Sequence, residues 1–178
     1  MDRYIRPPSH GAGKPPTANG IAQWEAENRL TLPDDYKQFM LRYNGGGIFP
    51  EFFPTNYPDD HDFYNEMDEV MQFNYLYPWE ELVEKNSYNS DWNQTEFVTI
   101  GSAVPGDVLM RLAEPNRGSV HLWWRNNNAW DDEDDPPITG TIAHSLTAFL
   151  FEALHPVGEF GGRWHHPKTF ERARKLEL

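Results

Sequence analysis

Two stretches of this chain hold residues whose types and spacing could do chemistry. In "PDDHDF" one imidazole, His61, stands among three carboxylates, Asp59, Asp60 and Asp62. Oxygen and nitrogen donors in that mixture could ligate a hard cation. Neighbours in an irregular loop rarely all face one point, however, and no second cluster at ligand spacing completes the set. The second stretch runs from "VHLWW" to "NNNAWDDEDD", placing His121, Trp123, Trp124 and Trp130 ahead of Asp131, Asp132, Glu133, Asp134 and Asp135. An aromatic anchor ringed by carboxylates suits a Lys/Arg-rich protein surface: the ring supplies apolar area, and the acids supply steering and ion pairs.

Other catalytic readings fail on residue type or spacing. The chain has no cysteine, so thiolate nucleophiles, thiolate metal sites and disulfides are excluded. No Gly-x-Ser-x-Gly occurs, and Ser102, Ser119 and Ser145 lack a context marking a base or an oxyanion hole. "GAGKPPT" lacks the Gly-Lys-Ser/Thr of a phosphate loop. His165 and His166 are adjacent, so on a helix or strand they point apart. The sequence therefore calls for no catalytic residue, no metal and no cofactor.

Charge sharpens the choice of partner. The net charge is −13, and between residues 43 and 110 Lys85 is the one basic residue against thirteen acids. Such a field repels nucleic-acid phosphates and anionic lipid heads and speeds encounter with basic proteins. Neither a signal peptide nor an apolar run long enough to cross a bilayer is present, so a cytoplasmic protein is expected. A chain of 178 residues fits one domain, which at that size hides about 70% of its unfolded surface.

The elements that must position these groups follow from periodicity. Residues 1–18, rich in Pro and Gly, read as a flexible, poorly packed arm. Asn19 is placed to cap a helix over "GIAQWEAENRL", with Ile21, Trp24 and Leu30 as its apolar contacts. In a second helix Pro33 takes the first position and Asp34 and Asp35 the first turn. Tyr36, Phe39, Met40 and Tyr43 share one face, and Arg42 lies in the last turn. Asn44 ends this helix, and Gly45 is expected to be the left-handed residue after it, with Gly46 and Gly47 reversing the chain.

Residues 48–66 read as irregular. "VMQFNYLY" reads as a strand with Met71, Phe73, Tyr75 and Tyr77 on one side, followed by a short helix from Pro78. "TEFVTIG" reads as a strand closed by Gly101. "GDVLMRL" and "GSVHLWW" form a hairpin with Val108, Met110, Leu112, Val120, Leu122 and Trp124 inward. Leu109, Arg111, His121 and Trp123 fall on the other face. Ser145 caps a last helix in which Leu146, Phe149, Leu150, Ala153 and Leu154 repeat at helical spacing. The fold class is α+β, a mostly antiparallel sheet packed against helices.

The ordered set "LPDDYKQFMLRYNGGG", "FVTIGSAVPGDVLMRL", "GSVHLWW" and "IAHSLTAFLFEAL" resembles the SUKH superfamily, the group of the fungal Smi and Knr cell-wall regulators and many bacterial proteins. Leu32, Pro33, Tyr36, Asn44, Gly45, Gly46, Gly106 and Asp107 are the structural positions of that pattern. The resemblance covers roughly Asn19 to Leu154, so the domain is set at 19–155, with 156–178 a C-terminal extension. It implies an interaction domain without a catalytic centre. Bacterial members are similar to immunity proteins encoded beside secreted polymorphic toxins, often nucleases. The expected function is thus binding and neutralising a cognate, basic toxin domain. The candidate contacts are Trp123, His121, Trp130, Asp131 to Asp135, Asp59, Asp60 and Asp62. Two alternatives stand beside it: a regulatory scaffold like the fungal relatives, and a metal-dependent hydrolase centred on Asp59, His61 and Asp62. Neither the insertion at 51–69 nor the segment beyond 155 belongs to the matched pattern.

Overall fold

The first helices are fixed by their ends as much as by their faces. In the computed structural model, which describes residues 3–8, 13–54, 70–88, 96–104, 106–124, 141–155 and 173–178, helix α1 spans Ala18–Asn28. Its cap is Thr17, whose Oγ1 accepts from the Gly20 N–H at 3.0 Å, and not Asn19. Thr17 is extended and its hydroxyl reaches an orphan first-turn donor, so the helix starts earlier than the Asn19 reading placed it. Helix α2 spans Asp34–Tyr43 and buries Tyr36, Phe39, Met40 and Tyr43. Pro33 is its N-cap and not its first helical residue: its ψ of 147° is extended, and the Asp34 and Asp35 carboxylates complement the dipole just inside.

The remaining described elements are, in chain order, β1 (Tyr4–Arg6), preceding both helices, then β2 (Gly47–Phe49), β3 (Phe52–Pro54), β4 (Val70–Leu76), α3 (Trp79–Tyr88), β5 (Phe97–Val104), β6 (Gly106–Arg111), β7 (Val120–Trp124) and β8 (Thr141–Ala143). They end with α4 (Leu146–Ala148), which continues as a π-turn over Phe149–Ala153, and with β9 (Arg174–Lys175). Strands β3 to β8 form a six-stranded antiparallel meander in sequence order. Strands β2, β1 and β9 form a three-stranded antiparallel sheet with β1 in the middle. The α+β architecture expected from the sequence is the one observed.

Five further local readings are corrected. The irregular reading of residues 48–66 does not hold over its described part, where β2 pairs with β1 and β3 with β4. The poorly packed arm does not hold at its described residues: Ile5 is 1% exposed in β1, and the Arg3 guanidinium donates to the Leu154 and Phe151 carbonyls. Gly101 does not close β5, which continues to Val104; the strand bulges between Thr99 and Gly101, and a Cβ at 101 would lie 2.6 Å from the Tyr75 carbonyl oxygen. Tyr75 does not share a face with Phe73, because the β4–β5 register shifts between them. The last helix does not keep a 3.6 period, since it widens into the π-turn at Phe149. Its Ser145 cap is present, with Oγ accepting from Ala148 N–H at 3.0 Å.

One core binds these pieces. Val98, Ile100, Val108, Met110, Val120 and Leu122 line the inner face of the large sheet and cluster with Phe39, Met40, Leu146 and Leu150. Phe149 packs edge-on against Phe73 at 5.2 Å and Phe53 at 6.0 Å. Each such side chain, fully buried, contributes about 1.5–3 kcal/mol. The C-terminal end docks here as well: Leu176 is 2% exposed, and Glu177 pairs with Arg42 at 2.8 Å.

The turn after α2 joins three elements. Asn44, Gly45 and Gly46 have φ of 55°, 80° and 128°, so Asn44 is already left-handed and the glycines extend the reversal. Asn tolerates that region better than other side chains. Its Oδ1 accepts from the Trp79 N–H at 2.8 Å, capping α3 from the end of α2. Gly46 exchanges backbone bonds with Leu76 at 2.9 and 3.0 Å. Added Cβ atoms would lie 2.6 Å from the Leu76 oxygen at Gly45 and 2.4 Å from the Arg6 oxygen at Gly46, so backbone fills the space on both sides.

Candidate partner-binding face

The outer face of the large sheet is built from cross-strand rows. Tyr75 pairs with Ser102, Ser102 with Asp107, and Asp107 with Trp123, one row running across β4 to β7. The next row pairs Thr99 with Leu109, Leu109 with His121, and His121 with Thr141. Beyond it Phe97 pairs with Arg111. Residues directly opposite in a ladder share a face, so these side chains belong to one surface.

Helix α3 holds this surface on one side. Asn86 grips Thr99 twice, Nδ2 donating to the Thr99 carbonyl and Oδ1 accepting from its N–H, both at 2.9 Å. Those backbone groups lie beside the β5 bulge, where the ladder slips and a side chain takes the place of a strand. Tyr77 O–H donates to Asp107 Oδ1 at 2.9 Å, and Tyr75 O–H donates to Glu81 Oε1 at 2.8 Å. The two phenol rings meet edge-on at 5.4 Å, and Lys85 Nζ lies 5.8 Å above the Tyr77 ring. Exposed Glu80 and Glu84 line α3 alongside.

Electrostatics on this face keep the phenols neutral. Burial pushes Tyr75 up from 10.0 to about 12, helped by its bond to Glu81 and by the Glu81 and Asp107 charges. Burial, with the Asp107 charge and hydrogen bond next, raises Tyr77 further. Both therefore act as donors to carboxylates across the ordinary pH range.

His121 is the correction on this surface. It is 7% exposed, with its ring edge-on to Phe97 at 5.4 Å and Nε2 2.8 Å from Ser119 Oγ. That removes it as a point of first contact. A Ser–His pair at that distance could serve as nucleophile and base, but Ser119 is 0% exposed, so the bond satisfies two buried polar side chains at alternate positions of one strand segment. Trp123 stays half-buried at the end of its row. Among the described residues no group of three or more His, Asp or Glu is placed to hold a metal ion.

Asp59, Asp60, His61, Asp62, Trp130, Asp131, Asp132, Glu133, Asp134, Asp135, His165 and His166 lie outside the described residues, as does the Trp124 side chain. The structural positions are all described. Leu32, 0% exposed, donates its N–H to Glu25 Oε1 at 2.7 Å. Tyr36 is 0% exposed in the core, and Gly106 starts β6 opposite Trp124. Asp107, 7% exposed, is the acceptor for Tyr77. Sequence reasoning missed Tyr75, Tyr77 and Asn86 as parts of this face. Asn74, a polar residue of low strand propensity at the register shift, was the available signal for the first two.

With the fold and this face in view, comparison with known proteins is decisive on family. Residues 15–152 match the SMI1 / KNR4 family (SUKH-1). The chain belongs to that family. It is also 52% identical over 33 residues to the uncharacterized protein YobM of Bacillus subtilis (strain 168), a stretch that is 18% of this chain and 18% of that protein. The chain thus aligns with under a fifth of that relative's length. No helix among the described residues is long and apolar enough to cross a membrane.

Proposed function

We propose that this SUKH-1 protein is a non-enzymatic immunity protein, which binds a cognate secreted bacterial toxin domain in the cytoplasm and neutralises it by covering it. The observation that carries the reading is the row Tyr75–Ser102–Asp107–Trp123, which ends in a half-buried indole and is flanked by α3 with exposed Glu80 and Glu84. An indole on a surface that also carries carboxylates offers apolar anchorage and charge pairing to a Lys/Arg-rich surface. The acidic run Asp131 to Asp135, with Trp130, and the acids Asp59, Asp60 and Asp62 extend the same chemistry in sequence, and they complete the proposed contact set. Inhibition by cover needs no reacting group, and tight pairs of this kind approach the practical ceiling of non-covalent affinity.

The test begins with the toxin-like reading frame adjacent to the gene. The encoded domain, purified and titrated into this protein, is expected to bind one to one and lose its activity. Reversing Asp131, Asp132 and Asp134 to lysine should weaken binding and flatten its salt dependence. Unchanged affinity and salt dependence would remove the acidic run from the interface. Capture of several host proteins and no secreted domain would favour a regulatory scaffold in place of an immunity protein.

A further inference from the structure

Away from that face, two arginines meet at an open cavity of about 330 Å³ lined by Arg29, Leu30, Thr31, Leu112 and Arg117. In a chain of net charge −13, a pocket lined by two arginines stands apart from its surroundings. The other described arginines are engaged: Arg42 and Arg111 on carboxylates, Arg3 on carbonyls, Arg6 and Arg174 over aromatic rings. The Arg29 side chain makes no hydrogen bond or ion pair among the described residues. Arg117 spends one nitrogen, Nη2, on the Thr31 and Leu32 carbonyls at 3.1 and 3.2 Å, which fixes its guanidinium while leaving its other donors available. Glu25, at the same end of α1, is taken up by Leu32 N–H at 2.7 Å and Lys37 Nζ at 3.5 Å.

Backbone geometry adds a second observation. Arg29 ends α1 with φ 55°, a left-handed position where glycine is the usual residue. An arginine there is held against its own backbone preference. The pocket is at the small end of ligand-site volumes, polar at its arginines and apolar at Leu30 and Leu112.

We propose that this pocket is an oxyanion site that takes the phosphate group of a small free ligand, with Arg29 and Arg117 as its two cationic donors. A phosphate dianion matches two guanidiniums in charge and offers enough oxygens for fork-like bonds from both, which a single carboxylate does not. The site is independent of toxin binding.

The experiment is a titration of the isolated full chain with inorganic phosphate at constant ionic strength, followed by amide shifts of residues 29–32, 112–114 and 116–118. Acetate and chloride serve as parallel arms. Saturable shifts with phosphate, and weaker ones with acetate, are expected. Arg29→Gly is the informative variant, because it should raise the melting temperature by relieving the positive φ while weakening phosphate roughly tenfold or more. Arg117→Lys, which keeps charge but loses the fork, should weaken phosphate while leaving the fold intact. Non-saturating shifts, acetate binding as tightly as phosphate, or full phosphate affinity in Arg29→Gly would each overturn the assignment.

Discussion

Both faces of the six-stranded sheet bury side chains, yet they do so by different chemistry, and the outer face leaves Tyr75, Ser102, Arg111 and Trp123 partly open. The inner face is apolar throughout, from Phe73 to Leu122, and packs on α2 and α4. The outer face buries Thr99, Asp107, His121 and Leu109 together, with Asn86 on the Thr99 backbone, Tyr77 on Asp107 Oδ1 and Ser119 on His121. Apolar packing is non-directional and tolerates repacking, whereas a buried carboxylate requires its donor in place. The inner face therefore holds the domain together. The outer face fixes side-chain positions at the rim where Trp123 emerges.

This contrast can be broken by substitution. Phe149→Ala, between Phe53 and Phe73, should cost about 3–5 kcal/mol through lost burial and a residual cavity, read as a fall in the denaturation midpoint. Tyr77→Phe on the outer face should cost less, about 1–3 kcal/mol, by taking a donor from buried Asp107. A larger loss from Tyr77→Phe than from Phe149→Ala would reverse the roles assigned to the two faces.

The smallest effect is one of pH. Tyr75 has its folded value raised from 10.0 to about 12, so the folded state holds the phenolic proton more tightly than the unfolded state. The resulting stability is fully present below pH 10.0 and is lost as pH climbs toward about 12. Melting temperatures of the wild type should hold below that window and fall within it. Tyr75→Phe should flatten the fall, and an equal fall in the variant would place its cause elsewhere.

What was legible in the sequence follows the same division. Helix α2 could be read because its four buried residues repeat at one helical spacing and its acids and arginine sit at the proper ends. The β6–β7 hairpin could be read because Val108, Met110, Val120 and Leu122 alternate strictly. The three-residue β1 and two-residue β9 are too short to show any period, and they exist because they pair with each other across the whole chain. Outer-face residues were visible as a mixture of apolar and polar groups, but their burial was not. It depends on the shift that turns Tyr75 outward and on Asn86 reaching β5, which are long-range events with no local signature. Asn44 illustrates the middle case: the helix stop was plain, while its second role as cap of α3 needed the tertiary contact.

The proposed function rests on partner binding by an acidic, aromatic surface. Its most direct test is the dissociation constant for the proposed toxin partner, measured over a range of salt with wild type and Trp123→Ala, with folding verified by the melting temperature. Wild-type affinity is expected to weaken as salt rises, and Trp123→Ala to lose roughly tenfold or more at every salt concentration. Equal affinity for the two proteins, with no dependence on salt, would contradict it.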